Sequence, residues 1–323
     1  MAIPKRVHFC WIGPRFPWAY VFAVLSAARH AGVDEVILHH TDELADGPEI
    51  HALRAAPGVR LARLDPAALL SAVGAELGLG EALSGLYGRA QGPAQKADIL
   101  RAAILYQRGG VYMDVDTLTV ASLTPLLEAG QFIGAERIVW PHWVYRSRSP
   151  LVWGRHLGLD VMRKLLRRIP GGWRAFRMVE GWYVPAVNNA VMGAGEAAPV
   201  IAKALRAMAA LPEGQTPGPY ALGPDLYQAL LAASPMPDLV IHAPGCFYPF
   251  APEISEHWFR PCRNAPAALR QALRPETRIV HWYGSVRTKP YVAQISPAYV
   301  RAHRQTQLYS ALVCELLPEL AAV

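Results

Sequence analysis

The stretch Lys96–Val120 reads Lys-Ala-Asp98-Ile-Leu-Arg101-Ala-Ala-Ile-Leu-Tyr-Gln-Arg-Gly109-Gly110-Val-Tyr112-Met-Asp114-Val-Asp116-Thr-Leu-Thr-Val. An apolar run at helical spacing stops at the Gly109-Gly110 break, and Val111-Tyr112-Met113 follows as a short strand. Asp98 and Arg101 lie three apart on the helix and share a face, which sets a carboxylate beside a guanidinium. Asp114 and Asp116 come at the carboxyl end of the strand, where open α/β sheets bind ligands, and at a spacing of two they point the same way. Two carboxylates about 7 Å apart on a strand face repel unless a cation sits between or beside them. A hard divalent metal, Mg²⁺ or Mn²⁺, suits that place and commonly completes its shell with substrate phosphate oxygens.

Working outward, the same alternation continues. Arg6–Ile12 is β-rich and ends at Gly13-Pro14, Trp18–His30 has apolar residues at helical spacing, and Glu35–His39 and Val59–Leu64 are short strands. Pro66–Gly109 is helical, with breaks near Gly78, Gly80 and Gly92-Pro93. Strands alternating with helices predict an α/β layered domain with a mostly parallel sheet. In the second half, Phe132–Val139, Ala186–Met192 and Arg278–Tyr283 read as strands, and Ala197–Ala210, Asp225–Ala233 and Pro297–Leu317 as helices. Trp- and Pro-rich loops fill the gaps, with Trp140, Trp143, Tyr145, Trp153, Trp173, Trp182 and Tyr183 among them; such rings pack a subdomain or cover a sugar face or a lipid headgroup.

The chain has 323 residues, 52% hydrophobic, 18% charged and 9% aromatic, which excludes disorder, collagen-like repeats and coiled coil as global descriptions. No linker divides it, so a single domain over residues 1–323 is expected. Lys and Arg number 32 against 25 Asp and Glu, a net +7 that favours anionic partners. The charge is not gathered into an arm and no nucleic-acid motif is visible, so no nucleic-acid partner is expected. The run Arg155–Ile169 sets Arg155, Arg163, Lys164, Arg167 and Arg168 around Leu157, Val161, Leu165 and Ile169, either as a solvated basic face or as an interfacial helix on anionic lipid. Cys10, Cys246, Cys262 and Cys314 are scattered and read as reduced, buried thiols. The eleven-residue apolar run Trp18–Ala28 is too short to span a bilayer, and Val7–Ile12 too short for a signal. A cytoplasmic protein, open to peripheral membrane contact, is expected; oligomeric state is not legible.

The block Asp98-x-x-Arg101…Gly-Gly-Val-Tyr112-Met-Asp114-Val-Asp116 resembles the sugar-nucleotide site of the D-x-D glycosyltransferases, most closely glycosyltransferase family 32 and the clostridial glucosylating toxins. The opening Ile3-Pro-Lys-Arg-Val-His-Phe-Cys-Trp11-Ile-Gly13 is similar to the I-P-K-x-I-H-x-x-W-x-G start of that family. Asn188-Asn189-Ala-Val-Met192 resembles its N-N-A-x-M segment and Gly223-Pro224 its G-P before a helix. His281-Trp-Tyr-Gly284-Ser-Val-Arg-Thr-Lys289-Pro is similar to its late His segment and, with two extra residues before the Lys, to the H-x-x-G-x-x-K-P of family 8.

The resemblance implies a GT-A fold, with residues 1–125 as the nucleotide-sugar half and 126–323 as the acceptor and metal-completing half, and a retaining transfer from a UDP-sugar to a glycan, lipid-linked or other hydroxyl acceptor. It implies Asp114, Asp116 and His281 as ligands of Mn²⁺ or Mg²⁺, the imidazole favouring Mn²⁺. Trp11 would stack on the base, and Asp98, Arg101, Tyr112, Asp114, Asn188 and Gly284 would bind the donor. Asp114, Asp116, Asn189 and Lys289 would serve catalysis, Lys289 at the diphosphate. Val111-Tyr-Met-Asp114-Val-Asp116-Thr also looks like the first motif of haloacid-dehalogenase-type phosphatases, with Asp114 as nucleophile and Asp116 as acid/base. Against that stand the hundred residues before it and the lack of a later acidic pair. A non-enzymatic anion-binding protein is the third alternative, and a glycosidase is disfavoured because both acids lie on one strand face.

Overall fold

The computed structural model describes residues 2–212, 218, 220–285 and 287–322. Nine strands form: β1 (Arg6–Trp11), β2 (Glu35–His40), β3 (Val59–Arg63), β4 (Gly110–Met113), β5 (Thr117–Thr119), β6 (Gln131–Ile138), β7 (Val184–Ala194), β8 (Val240–His242) and β9 (Ile279–His281). Seven make one sheet in the order β3-β2-β1-β4-β7-β6-β8, and β5 and β9 pair separately. The pairs β1–β2, β2–β3, β1–β4 and β6–β8 are parallel; β7 runs antiparallel to both β4 and β6. The mostly parallel α/β sheet expected from the alternation is therefore present, with β7 as its reversed strand.

Alternation in the strands explains the layering. Val111 and Met113 point to the face covered by the Trp18–His30 helix, while Tyr112 points to the face covered by Pro66–Leu77, Gly92–Arg108 and Pro199–Ala209. Phe9, Val111 and Met113 are fully buried, a burial of about 1.5–3 kcal/mol each. A third cluster, built on Trp258, Trp282 and Tyr309, packs the later helices against Phe22 of the Trp18–His30 helix.

The turn into β4 requires its two glycines. Gly109 and Gly110 have φ of 57° and 102°, and a Cβ on Gly110 would stand 2.9 Å from the Arg6 carbonyl oxygen. The same turn is tied to the sheet by buried histidines. His8 Nε2 donates to the Gly109 carbonyl at 2.9 Å, which leaves His8 Nδ1 to accept from His39 Nε2, also at 2.9 Å. Burial pushes the His8 imidazole down to about 3 and His39 to about 2, so both are neutral structural pins across β1 and β2.

The long helical stretch is three helices, Pro66–Leu77, Ala82–Arg89 and Gly92–Arg108, broken where the glycines predict. Other elements differ from expectation. The last helix is two, Pro297–His303 and Leu308–Leu316. Trp143, Tyr145, Trp153 and Trp173 lie on helices rather than loops, and Trp173 and Tyr183 are core residues. All four cysteines are free, but only Cys10 and Cys246 are buried. No helix among the described residues is long and apolar enough to cross a membrane.

Candidate active site at the end of β4

The D-x-D acids are not on a strand face. β4 stops at Met113 and β5 starts at Thr117, so Asp114-Val115-Asp116 forms the turn between them, closed by Thr117 Oγ1 donating to the Asp114 carbonyl at 2.7 Å. The strand-rise estimate of their separation is thus corrected: a turn, not a pleat, aims the two carboxylates. β5 then pairs antiparallel with β9, and its register sets Thr117 opposite His281. One ligand atom from each of Asp114, Asp116 and His281 falls within 4.8 Å of the others.

His281 Nε2 donates to Asp116 Oδ1 at 3.0 Å, and the Gly284 amide donates to Asp116 Oδ2 at 2.7 Å. Burial would raise Asp116, but His281 and the Gly284 amide overcome it and hold its carboxyl below the usual range. Burial would lower His281, but the Asp116 carboxylate raises it. Its Nδ1 is buried without a partner. Two carboxylates and one imidazole with an orphaned ring nitrogen form a donor set that fits Mn²⁺ or Mg²⁺.

Arg101 organises the other side. From the Gly92–Arg108 helix its Nη2 lies 2.6 Å from Asp114 Oδ1 and 3.4 Å from Asp98 Oδ1, and its Nη1 donates to the Asn189 carbonyl. Asn189 Nδ2 in turn donates to Asp98 Oδ1 at 2.8 Å. Asn188 and Asn189 arrive because β7 runs beside β4, with Met113 opposite Val191 and the Asp114 amide donating to the Ala190 carbonyl at 2.8 Å. Here β7 bulges: its register against β6 jumps from Ile133–Met192 to Gly134–Asn188. Gly223 abuts the same group, since a Cβ there would meet Asp98 Oδ2 at 3.0 Å and Asn189 Nδ2 at 3.2 Å. Burial raises Asp114 to about 7, with Arg101 opposing and Asp116 reinforcing the shift.

Two of the expected site residues stand elsewhere. Tyr112 is 1% exposed, with its ring under the Arg101 guanidinium at 4.6 Å, so it supports Arg101 from the core. Lys289 is exposed on the short helix Lys289–Val292 and makes no ion pair with the cluster. Trp11 ends β1 against Tyr20 and Phe16, with ring centroids 5.1 and 5.3 Å away, and its Nε1 is buried without a partner.

Sequence reading missed Glu136. It lies buried on β6, accepts from the Tyr283 hydroxyl at 2.7 Å, and is pushed up by burial. The His281 ring sits 4.1 Å from that of Tyr283 and 5.6 Å from that of Tyr248, whose hydroxyl donates to the Asn188 carbonyl at 3.2 Å. A carboxylate, Glu136, directly after the apolar β6 run Phe-Ile-Gly-Ala and before Arg137 was the available signal. Tyr283 itself has φ of 57°, a left-handed residue that turns the chain from β9 to the Gly284 amide.

Residues 75–133, which hold the Asp98–Arg101 pair and the D-x-D turn, match the family model described as glycosyltransferase sugar-binding region containing DXD motif. This segment is similar to a DXD-type glycosyltransferase sugar-binding region. The likeness to glycosyltransferases rests on this segment, which places the D-x-D turn at the carboxyl end of β4 in a mostly parallel α/β sheet. Comparison with curated proteins gives no match. Among solved structures, PaToxG glycosyltransferase is similar at 17% identity over 72% of this chain and 70% of its own, TM-score 0.41. The bifunctional glycosyltransferase WbbM is similar at 13% identity over all of this chain, which spans 50% of WbbM, TM-score 0.47. The galactosyltransferase LgtC, in complex with donor and acceptor sugar analogs, is similar at 15% identity over 98% of this chain and 97% of its own, TM-score 0.43.

Proposed function

We propose that the chain is a metal-dependent retaining glycosyltransferase that takes a UDP-sugar and passes the sugar to a hydroxyl of a glycan or lipid-linked acceptor, the whole chain acting as one GT-A domain. The observation that carries this reading is the convergence of Asp114, Asp116 and His281 within 4.8 Å, beside the Arg101–Asp98–Asn189 network. Both halves of the chain are needed for it, since Asn189 and His281 come from beyond residue 126.

In this reading Asp114, Asp116 and His281 hold Mn²⁺, which when bound offsets the charge of the departing diphosphate. The Gly284 amide and the His281 imidazole fix the Asp116 carboxylate, so the metal meets a preset ligand. Arg101 holds Asp114 and, through the Asn189 carbonyl, the bulge of β7. Asp98 and Asn189, joined to each other, are the hydrogen-bonding pair for the donor sugar, Asn188 borders them, and the Trp11 ring is the platform for the base. Lys289 is given no part. The retaining outcome follows from the family resemblance, and departure and attack on one face require no nucleophile from the protein. A phosphatase reading needs Asp114 free to attack; it is instead bonded to Arg101.

Calorimetric titration of UDP and GDP with and without Mn²⁺ tests this. Wild type should bind UDP in a Mn²⁺-dependent way and hydrolyse or transfer from a UDP-sugar, and Asp116→Asn should lose both while circular dichroism shows it folded at the assay temperature. Full Mn²⁺-dependent binding and turnover in Asp116→Asn, or no nucleotide binding in wild type, would overturn it.

A further inference from the structure

The helix Pro150–Arg168 carries a second apolar stripe on its outer face. A surface helix ordinarily turns its apolar stripe to the core and its charges to water. Here the inner face is mixed: Leu159, with Met162 and Leu166 half-buried beside it, packs on the core, while His156 Nδ1 donates to the Val139 carbonyl at 2.6 Å, Asp160 and Glu253 both pair with Arg163, and Arg167 meets Glu256 at 2.7 Å. The outer face carries Leu157, Val161 and Leu165 in line at four-residue spacing, 52%, 56% and 57% exposed, with Leu151 at 86% towards the helix start. Trp182, 57% exposed, borders the stripe, because Arg155 Nη2 donates to its carbonyl at 3.2 Å.

Charge around the stripe is one-sided. Residues 141–185 hold nine of the 32 basic residues and two of the 25 acidic ones, so this segment carries the whole net +7 and the remaining chain is balanced at 23 of each. Its two acids are already engaged: Asp160 with Arg163 and with Lys164 at 2.6 Å, and Glu180 with Arg274. Arg155 and Arg168, towards opposite ends of the stripe, are exposed and have no acidic partner among the described residues. A second copy of the chain would bring like charge against like charge. Apolar side chains flanked by cations match the interface of a membrane whose headgroups are anionic, with the leucines in the acyl boundary and the arginines at the phosphates.

We infer that the outer face of the Pro150–Arg168 helix docks the protein on the surface of a membrane bearing anionic lipid. The inference is independent of the proposed transfer reaction. It is tested with the full chain by flotation on phosphatidylcholine vesicles with and without phosphatidylglycerol, at low and high salt. Binding to the anionic vesicles only, weakened by salt, is expected. Leu157→Ser with Leu165→Ser should abolish it, and Arg155→Glu with Arg168→Glu should lower the partition about thirtyfold or more, while circular dichroism and UDP binding stay as in wild type. The altered residues lie outside the D-x-D cluster, so intact UDP binding separates loss of docking from loss of fold. Equal binding to neutral vesicles, no binding to either, or insensitivity to both double variants would overturn the inference. So would a concentration-dependent dimer in sedimentation that the leucine variant dissolves, since the stripe would then belong to a second copy.

Discussion

Arg101→Met tests the network that orders the site. The Arg101 side chain is 5% exposed and is the only cation among the described ion pairs of Asp98 and Asp114, whose side chains are 14% and 28% exposed. Removing one partner of a buried ion pair leaves the other uncompensated, at a cost of about 3–5 kcal/mol. The pH dependence identifies the cause. Asp114, raised by burial to about 7 with Arg101 already opposing that rise, must move higher when Arg101 is gone. A carboxyl whose folded value is raised destabilises the fold increasingly as pH climbs from the unfolded value to the folded one. In wild type that cost stops growing near pH 7, whereas in the variant it keeps growing by about 1.4 kcal/mol per unit above it. The variant's deficit should therefore widen by about 2 kcal/mol between pH 7 and pH 8.5. Urea unfolding of metal-free protein, followed by tryptophan fluorescence at the two pH values, measures it. Arg101→Met with Asp114→Asn should recover part of the stability and lose the widening. A deficit under about 1 kcal/mol, or one equal at both pH values, would refute the argument that Arg101 compensates the two acids.

Gly284→Ala should bind Mn²⁺ and UDP about tenfold more weakly or worse at little change in folded content, because the new Cβ would stand 2.7 Å from the fully buried Trp282 ring and 3.1 Å from Asp116 Cβ; unchanged calorimetric affinity would show that Asp116 tolerates displacement. The His8–His39 pair should make the fold acid-sensitive. Both folded values are depressed below the ordinary 6.5, so the stability is present above pH 6.5 and is lost as pH falls toward about 3. At pH 5 each imidazole accounts for about 2 kcal/mol of that loss, so His39→Gln should flatten the fall in unfolding free energy between pH 7 and pH 5 by about that amount. Parallel curves for wild type and variant would mean that the pair is not buried in its neutral form.

Local pattern determined the parts of this protein that depend on neighbours in the chain. The glycine break at Gly109-Gly110, the apolar triplet after it, and the helical spacing of Asp98 and Arg101 are properties of single elements, and each stands where the sequence puts it. The alternation of strands and helices likewise determined an α/β sheet, and the motif resemblance pointed to the acids. Contacts between distant residues were decided only by the tertiary structure. His281 meets Asp116 from 165 positions away because β9 pairs with β5, and Asn189 reaches Asp98 across 91 positions because β7 is reversed beside β4 and bulges there. No periodicity carries a strand's partner or its direction, so the aim of the D-x-D acids, the burial of Tyr112 under Arg101 and the hidden Glu136 were not legible. The outward stripe of the Pro150–Arg168 helix has the same origin. Its sequence shows an amphipathic helix with basic flanks, but which face turns inward is set by what lies beneath, here Glu253 and Glu256, which draw Arg163 and Arg167 to the protein beside Leu159 and Leu166 and leave Leu157, Val161 and Leu165 outside.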